Sequence, residues 1–227
     1  MKNYLTAAFL FLFFRGYSQQ LSQVSFTQAS VFSWFSLLTN QNILIRISDG
    51  GKILEAGTEE SSNHYRNYFA PKLLPYAGVI NYYEHQHDST LNGKIKNIGT
   101  CYFTYYAASD FPERIGKLKS AGSLSFDYYA KNEDALIGGR IKTIGTTAIT
   151  YYTSFENEAL KGKLSAVGNI SIVYYTSFDN QFLKGKLKSI GPYNYKWITR
   201  FSGDQFVSYL KTGNQRQLIN GITYIPQ

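Results

Sequence analysis

The sequence predicts an all-β fold, either an elongated antiparallel sheet or an open solenoid, built from tandem β-hairpins with N- and C-terminal caps. Three observations carry this. A seven-residue string recurs as GKIKNIG from Gly93, GKLKSAG from Gly116, GRIKTIG from Gly139, GKLSAVG from Gly162 and GKLKSIG from Gly185, each start 23 residues after the last. A Tyr pair recurs in step, at Tyr105-Tyr106, Tyr128-Tyr129, Tyr151-Tyr152 and Tyr174-Tyr175. Between string and pair, apolar residues alternate with polar ones, the period of a half-buried strand. Self-similarity at a fixed interval marks a repeat architecture, whose units are stable only against their neighbours. The chain is also rich in strand-favouring aromatics, with 20 Tyr and 16 Phe.

Residues 1–18 read as a signal peptide. Lys2 is a positive start, Leu5 to Phe14 is an apolar run too short to span a bilayer, and Gly16-Tyr17-Ser18 places small residues before a cut at Gln19. The competing reading is an uncleaved anchor. Export to the periplasm, cell surface or exterior is the expectation. Without Lys2 and Arg15 the formal charge of +8 falls to +6. A basic exported protein is biased toward anionic partners. The single Cys101 excludes an intramolecular disulfide, so the core alone must hold the fold.

Residues 19–71 form an N-terminal cap. Val31 to Leu38 is an apolar run that fits a strand or a short helix. Ile43 to Ile47, Asp49-Gly50-Gly51 and Lys52 to Glu55 read as strand, turn and returning strand. Lys52 to Gly57 keeps the spacing of GKLKSIG, so the repeat grammar is expected to begin there in degenerate form. Residues 72–92 read as a diverged repeat, two residues shorter between Gly78 and Tyr82-Tyr83 than later units.

Residues 93–191 are the tandem repeats. Gly99-Thr100, Gly122-Ser123, Gly145-Thr146 and Gly168-Asn169 suit two-residue type II′ turns, with Gly where φ must be positive. In the next strand Ile170, Ile172 and Tyr174 share a face. In the preceding one Leu164 and Val167 are three apart, so a bulge is needed to bring both onto the apolar face. After each Tyr pair comes a mixed loop. Ser154 can cap a helical turn that Gly162 ends, or the segment is open. Phe111, Phe155 and Phe178 recur there and are expected to fold onto the apolar face. Residues 192–227 are a repeat remnant and cap. Trp197-Ile198 replaces the Tyr pair, and Phe206 to Leu210 and Leu218 to Ile225 are expected to cover the last sheet edge.

The period, the G-[KR]-[LI] opening and the Tyr before a loop resemble the hairpin repeats of MORN and YD/Rhs proteins in grammar. The chain lacks the Tyr-Asp of YD repeats (Ala107 follows Tyr106) and the Tyr-x-Gly opening of MORN. As a whole it resembles uncharacterised secreted bacterial proteins with tandem GK[LI]KxIG…YY hairpins. That resemblance implies a fold and an exported location, and no activity.

Catalytic motifs do not occur. There is no GxSxG, no HExxH and no phosphate-binding Gly loop. No cofactor is implied. Cys101 aligns with Leu124, Thr147 and Ile170, an inner-face position that suits a small core hydrophobe. Asp and Glu of the inter-repeat loops suit solvation better than acid–base catalysis. Glu84-His85-Gln86-His87-Asp88 is the one metal candidate. His85 and His87 share a face if the segment is a strand, with only His64 left as a third imidazole. The alternative is a polar loop.

A basic ladder is the strongest functional feature. Lys94 and Lys96, Lys117 and Lys119, Arg140 and Lys142, Lys163, and Lys186 and Lys188 recur at fixed offsets. In a regular stack they form a stripe able to hold an acidic polysaccharide or another polyanion, with Tyr106, Tyr129, Tyr152 and Tyr175 exposed for stacking. The bland reading is a solvated edge on which Lys discourages strand pairing. The expected function is a non-enzymatic binding or scaffolding module at the cell envelope. The alternative is a glycan-active or metal-dependent enzyme centred on His85 and His87.

Overall fold

The computed structural model describes residues 19–59, 73–84, 87–202, 205–213 and 215–226. The proposed signal peptide, His64 and His85 lie outside them. Among the described residues the fold is all-β, with strands in long antiparallel sheets not closed into a barrel and no helix. β1 (Gln20–Thr27), β2 (Val31–Leu38), β3 (Leu44–Ile47) and β4 (Ile53–Glu59) run as successive antiparallel hairpins, and β5 (Leu73–Pro75) adds to β4. The run from Val31 is therefore a strand. β6 (Ile80–Tyr82) opens a second sheet. The shortened unit is thus the crossover: its first strand belongs to one sheet and its second to the other. Lys52 to Gly57 lies in the cap sheet and not in the repeat sheet, yet it opens as the repeats do: Gly51 has φ of 79°, and β4 pairs with β3 through a bulge at Leu54.

The repeats give β7 (Ile95–Ile98) and β8 (Cys101–Tyr105), β9 (Leu118–Ala121) and β10 (Leu124–Tyr128), β11 (Ile141–Ile144) and β12 (Thr147–Tyr151), β13 (Leu164–Val167) and β14 (Ile170–Tyr174), and β15 (Leu187–Ile190) and β16 (Tyr193–Asn194). From β6 to β16 every strand pairs with the next in sequence, making an eleven-stranded meander. The turn glycines Gly99, Gly122, Gly145 and Gly168 have φ of 56–59°, while Thr100, Ser123, Thr146 and Asn169 do not have positive φ. That combination is the type II′ turn, whose twist matches the flanking strands.

A bulge occurs in every repeat, between one hairpin and the next. Thr150 opposes Ala166 but Tyr151 opposes Leu164, which leaves Ser165 as the extra residue. The equivalent residues are Lys96, Lys119, Lys142 and Lys188. The bulge turns Leu164 and Val167 to the same side, where both are buried.

β17 (Lys196–Ser202) and β18 (Gln205–Thr212) form a separate ribbon, and β19 (Gln217–Ile219) pairs with β20 (Ile222–Pro226). β20 lies parallel to β1 and completes a seven-stranded cap sheet. Of the two C-terminal segments expected at the last edge of the repeat sheet, Phe206 to Leu210 lies in the ribbon and packs on the last repeat, where Ser208 Oγ donates to the Phe182 carbonyl (2.9 Å) and Phe206 meets Phe182 at 4.6 Å, whereas Leu218 to Ile225 does not cover that edge. It extends the sheet that packs against the repeats. Val24, Phe26, Phe35, Leu37, Ile45, Ile47 and Tyr224 from the cap sheet share one buried cluster with Phe103, Phe126, Ile149, Ile172 and Leu187 from the repeats. The repeats lack a partner for their apolar face, and the cap sheet supplies it.

Contacts at both ends of the strands fix the two sheets. At the loop end, the Ile141 amide donates to the Asp49 carbonyl (2.7 Å), and the Leu187 amide to the Ala29 carbonyl (2.8 Å). At the turn end, Gln41 Oε1 accepts from the Thr100 amide (2.8 Å) and Gln19 Oε1 from Ser123 Oγ (2.7 Å). The loop Phe residues do not take part. Phe155 and Phe178 are 93% and 92% exposed, and Phe111 is 70% exposed. The expectation that they fold inward is corrected: the cap sheet already fills the face they would have covered.

Candidate polyanion-binding face

The bulge divides the basic ladder into two files. Residues Lys94, Lys117, Arg140, Lys163 and Lys186, just before each first strand, form an inner file. Each places its cation over the first aromatic of its own repeat. The distances to Tyr105, Tyr128, Tyr151, Tyr174 and Trp197 are 5.1, 5.0, 5.3, 5.1 and 4.8 Å. Cation–π contacts of this kind are worth about 0.5–2 kcal/mol, more when desolvated. These side chains are wedged between elements. Lys117 donates to the Gly139 carbonyl and Arg140 to that of Gly162, each in the next repeat. Lys163 donates to the Ser30 carbonyl at the β1–β2 tip (2.6 Å), and Arg140 pairs with Asp49 at the β3–β4 tip (3.5 Å). Burial pushes the Lys117, Lys163 and Lys186 ammonium groups below their usual pKa.

Lys96, Lys119, Lys142 and Lys188 form the outer file, at the bulge. They lie over the second aromatic of the preceding repeat: Tyr83 (6.0 Å), Tyr106 (5.3 Å), Tyr129 (5.1 Å) and Tyr175 (5.2 Å). Lys96, Lys119 and Lys188 are exposed and Lys142 is half-buried. Lys142 pairs with Glu133 at 2.8 Å, which raises the Lys142 pKa and lowers that of Glu133, and Lys188 approaches Asp179 at 3.5 Å. Ser165 breaks the file in the fourth repeat. Two strands per repeat set the spacing at roughly 9–10 Å. Around the file the face is lined by small hydroxyl residues, with Thr104 and Ser120 joined at 2.6 Å and Thr150 and Ser165 at 2.9 Å.

The single stripe of nine cations expected from spacing is therefore corrected to two files, a half-buried inner one and a more exposed outer one. The second-position Tyr residues are corrected too. Tyr106 is buried, while Tyr129, Tyr152 and Tyr175 are half-buried. Their hydroxyls donate to backbone carbonyls of the next repeat, at Phe126 (2.8 Å), Ile149 (3.0 Å), Ile172 (3.0 Å) and Tyr195 (3.3 Å). The rings of Tyr106, Tyr129 and Tyr152 meet the first Tyr of the next repeat edge-on, each at 6.1 Å. These rings join repeats and are not an open stacking platform. The constant eleven-residue step from each inner cation to its aromatic was visible in the sequence, and it is the signal that separates the two files.

The loops are strings of turns. Ser154 caps no helical turn. Its amide and hydroxyl donate to Asp134 of the preceding repeat (both 2.8 Å), whereas the Ser177 amide donates to Asn157 Oδ1 (3.1 Å) and its hydroxyl accepts from Asn157 Nδ2 (2.7 Å). These bonds hold the Asp134 carboxyl below its usual pKa. Asp88, at the equivalent place, accepts from the Thr90 and Ala108 amides (both 2.9 Å). His87 is exposed, and among the described residues no three metal-ligating side chains converge. Cys101 is buried with its thiol pushed up to about 11 by desolvation, the state of a neutral core side chain.

No protein-family model, curated protein or solved structure matches the chain.

Proposed function

We propose that this protein is an exported, non-enzymatic binding or scaffolding module at the bacterial cell envelope, and that its outer repeat face takes an acidic polysaccharide lengthwise. One observation carries this reading: Lys96, Lys119, Lys142 and Lys188 stand at the bulge position of four of the five repeats, Ser165 taking the fourth, on a solvent-facing, hydroxyl-lined face. Cation spacing of roughly 9–10 Å, doubled across Ser165, suits a polymer with regularly spaced charge. Each contact is weak, about 1 kcal/mol or less, because water and salt screen it. Several in register add up through avidity.

The test uses polygalacturonate as the probe and neutral dextran as its control. Changing Lys96, Lys119, Lys142 and Lys188 together to Gln should abolish salt-sensitive binding to polygalacturonate. Changing Lys131, Lys161, Lys184 and Lys211, all exposed and off the file, removes equal charge and should leave most binding intact. Equal loss in both variants reduces the effect to net charge. Export is tested separately, by the intact mass of protein secreted from a Gram-negative host, which should begin at Gln19.

A further inference from the structure

We propose that the groove between the β3–β4 tip and the first two repeats is an anion site for a phosphate or sulfate ester carried on a sugar ring. The groove has a volume of about 490 Å³ and lies away from the outer face. Lys52, Lys94 and Lys117 line it, together with Tyr82 and Tyr105. Four of its lining residues are glycines, which leave backbone open to a ligand. Among the described residues no carboxylate lines it. Asp49 and Glu113 act on Lys117 from outside the groove, and Asp49 is turned to Arg140 at 3.5 Å.

Lys94 and Lys186, at the two ends of the inner file, depart from its rule. Lys117, Arg140 and Lys163 each reach a backbone carbonyl. Lys94 is half-buried over Tyr105, yet among the described residues its ammonium has no hydrogen-bond acceptor and no ion pair. Lys52 likewise has none. Three cations thus share one concave space, and among the described residues two of them, Lys52 and Lys94, have no ion pair there. Bringing like charges together is unfavourable, and an anion between them reverses the sign of the interaction. Lysines bind oxyanions as point charges, and a phosphate ester, close to doubly charged near neutral pH, answers three of them better than a carboxylate does, while a sulfate ester brings one charge on the same tetrahedral set of oxygens. Tyr82 is 48% exposed at the groove, which offers a ring on which a sugar can rest.

Calorimetry with glucose-6-phosphate, glucose-6-sulfate and inorganic phosphate tests the site. At least one ester should bind saturably, and the tighter of the two identifies the anion. The Lys52→Gln/Lys94→Gln variant should weaken it by about tenfold or more, the equivalent of losing about 1.4 kcal/mol. A Lys131→Gln/Lys161→Gln control should leave it unchanged. Tyr82→Ala should reduce ester affinity to that of inorganic phosphate. Lysine acetylation of the wild-type protein, read by mass spectrometry, avoids reliance on variants: the ester should protect Lys52 and Lys94 and not Lys131. Absence of saturable ester binding, equal weakening in both double variants, or equal protection of all three lysines would overturn the site. A failure on the outer face leaves these outcomes untouched, since none of its lysines is altered.

Discussion

The Tyr129 hydroxyl donates to the Ile149 carbonyl, 20 residues ahead in the next repeat, at 3.0 Å. The same bond runs from Tyr83 to Phe103, from Tyr106 to Phe126 and from Tyr152 to Ile172. Each repeat is thus tied to its successor by a side chain as well as by the strand ladder. Tyr129→Phe should cost about 1 kcal/mol in urea unfolding, the net worth of one such bond. Tyr129→Ala also removes the edge-on contact with Tyr151 and should cost about 3 kcal/mol or more.

The first Tyr of each pair offers a sharper contrast. Tyr128 donates to the Leu118 carbonyl at 2.7 Å, whereas the Tyr151 hydroxyl is buried and makes no hydrogen bond among the described residues. Tyr128→Phe should therefore destabilise by about 1 kcal/mol, and Tyr151→Phe should be neutral or stabilising. Equal losses at the two positions would refute the difference in pairing.

The turn glycines test backbone strain. Gly168 has φ of 59°, and a Cβ built there meets only Thr147 Cγ2 at 3.7 Å, an ordinary contact. Gly168→Val should destabilise through its dihedral angle alone, by about 1–2 kcal/mol or more for a β-branched residue, read as a lowered melting temperature. Gly145→Val adds crowding against Leu124 Cδ2 at 3.0 Å and should cost more. Gly168→Asn, which tolerates positive φ, should recover much of the loss.

Alkali should unfold the protein steeply. Burial holds the hydroxyls of Tyr105, Tyr128, Tyr151, Tyr174, Tyr195 and Tyr224 well above their ordinary pKa. The unfolded chain releases these protons near pH 10 while the folded chain keeps them. Their contribution is therefore complete below pH 10 and is lost above it, by about 1.4 kcal/mol per pH unit for each tyrosine. Lys117, Lys163 and Lys186 act in the opposite sense below their ordinary pKa of 10.5, but they are fewer. Urea midpoints measured against pH should fall beyond pH 10, with tyrosinate absorbance appearing together with unfolding. Tyrosinate that appears before unfolding would contradict the burial.

The exposed Phe residues should be dispensable for stability. Phe155→Ser and Phe178→Ser should each change it by less than about 0.5 kcal/mol, whereas Phe126→Ala in the core should cost about 3–5 kcal/mol. A large loss at Phe155 would mean that it is covered after all.

Local rules made much of the architecture legible. A 23-residue period, Gly before Ser, Thr or Asn, and two-residue alternation specify hairpins, turns and the need for a bulge, because all three depend on φ, ψ and side-chain direction within a few residues. The inner position of Cys101 followed from the same alternation. The files of cations were only half legible. Lys117 and Lys119 are two apart, which in a regular strand puts them on one face, and only the bulge residue Lys119 escapes that rule.

By itself, then, the sequence determined that this is an all-β array of hairpins, where its turns fall and which apolar residues face inward. Only the tertiary structure decided what covers that inner face. The loop Phe residues and the cap strands were both apolar enough to do so, and periodicity measures hydrophobicity without naming a partner. The cap sheet prevails because its strands bring a continuous face, with Phe26, Phe35, Ile45 and Ile47 fully buried against the repeats. Its hairpin tips also satisfy the backbone amides of Ile141 and Leu187, which isolated loop rings cannot do. Those tips occupy the middle of the inner cation file and leave Lys94 at its end beside an open groove.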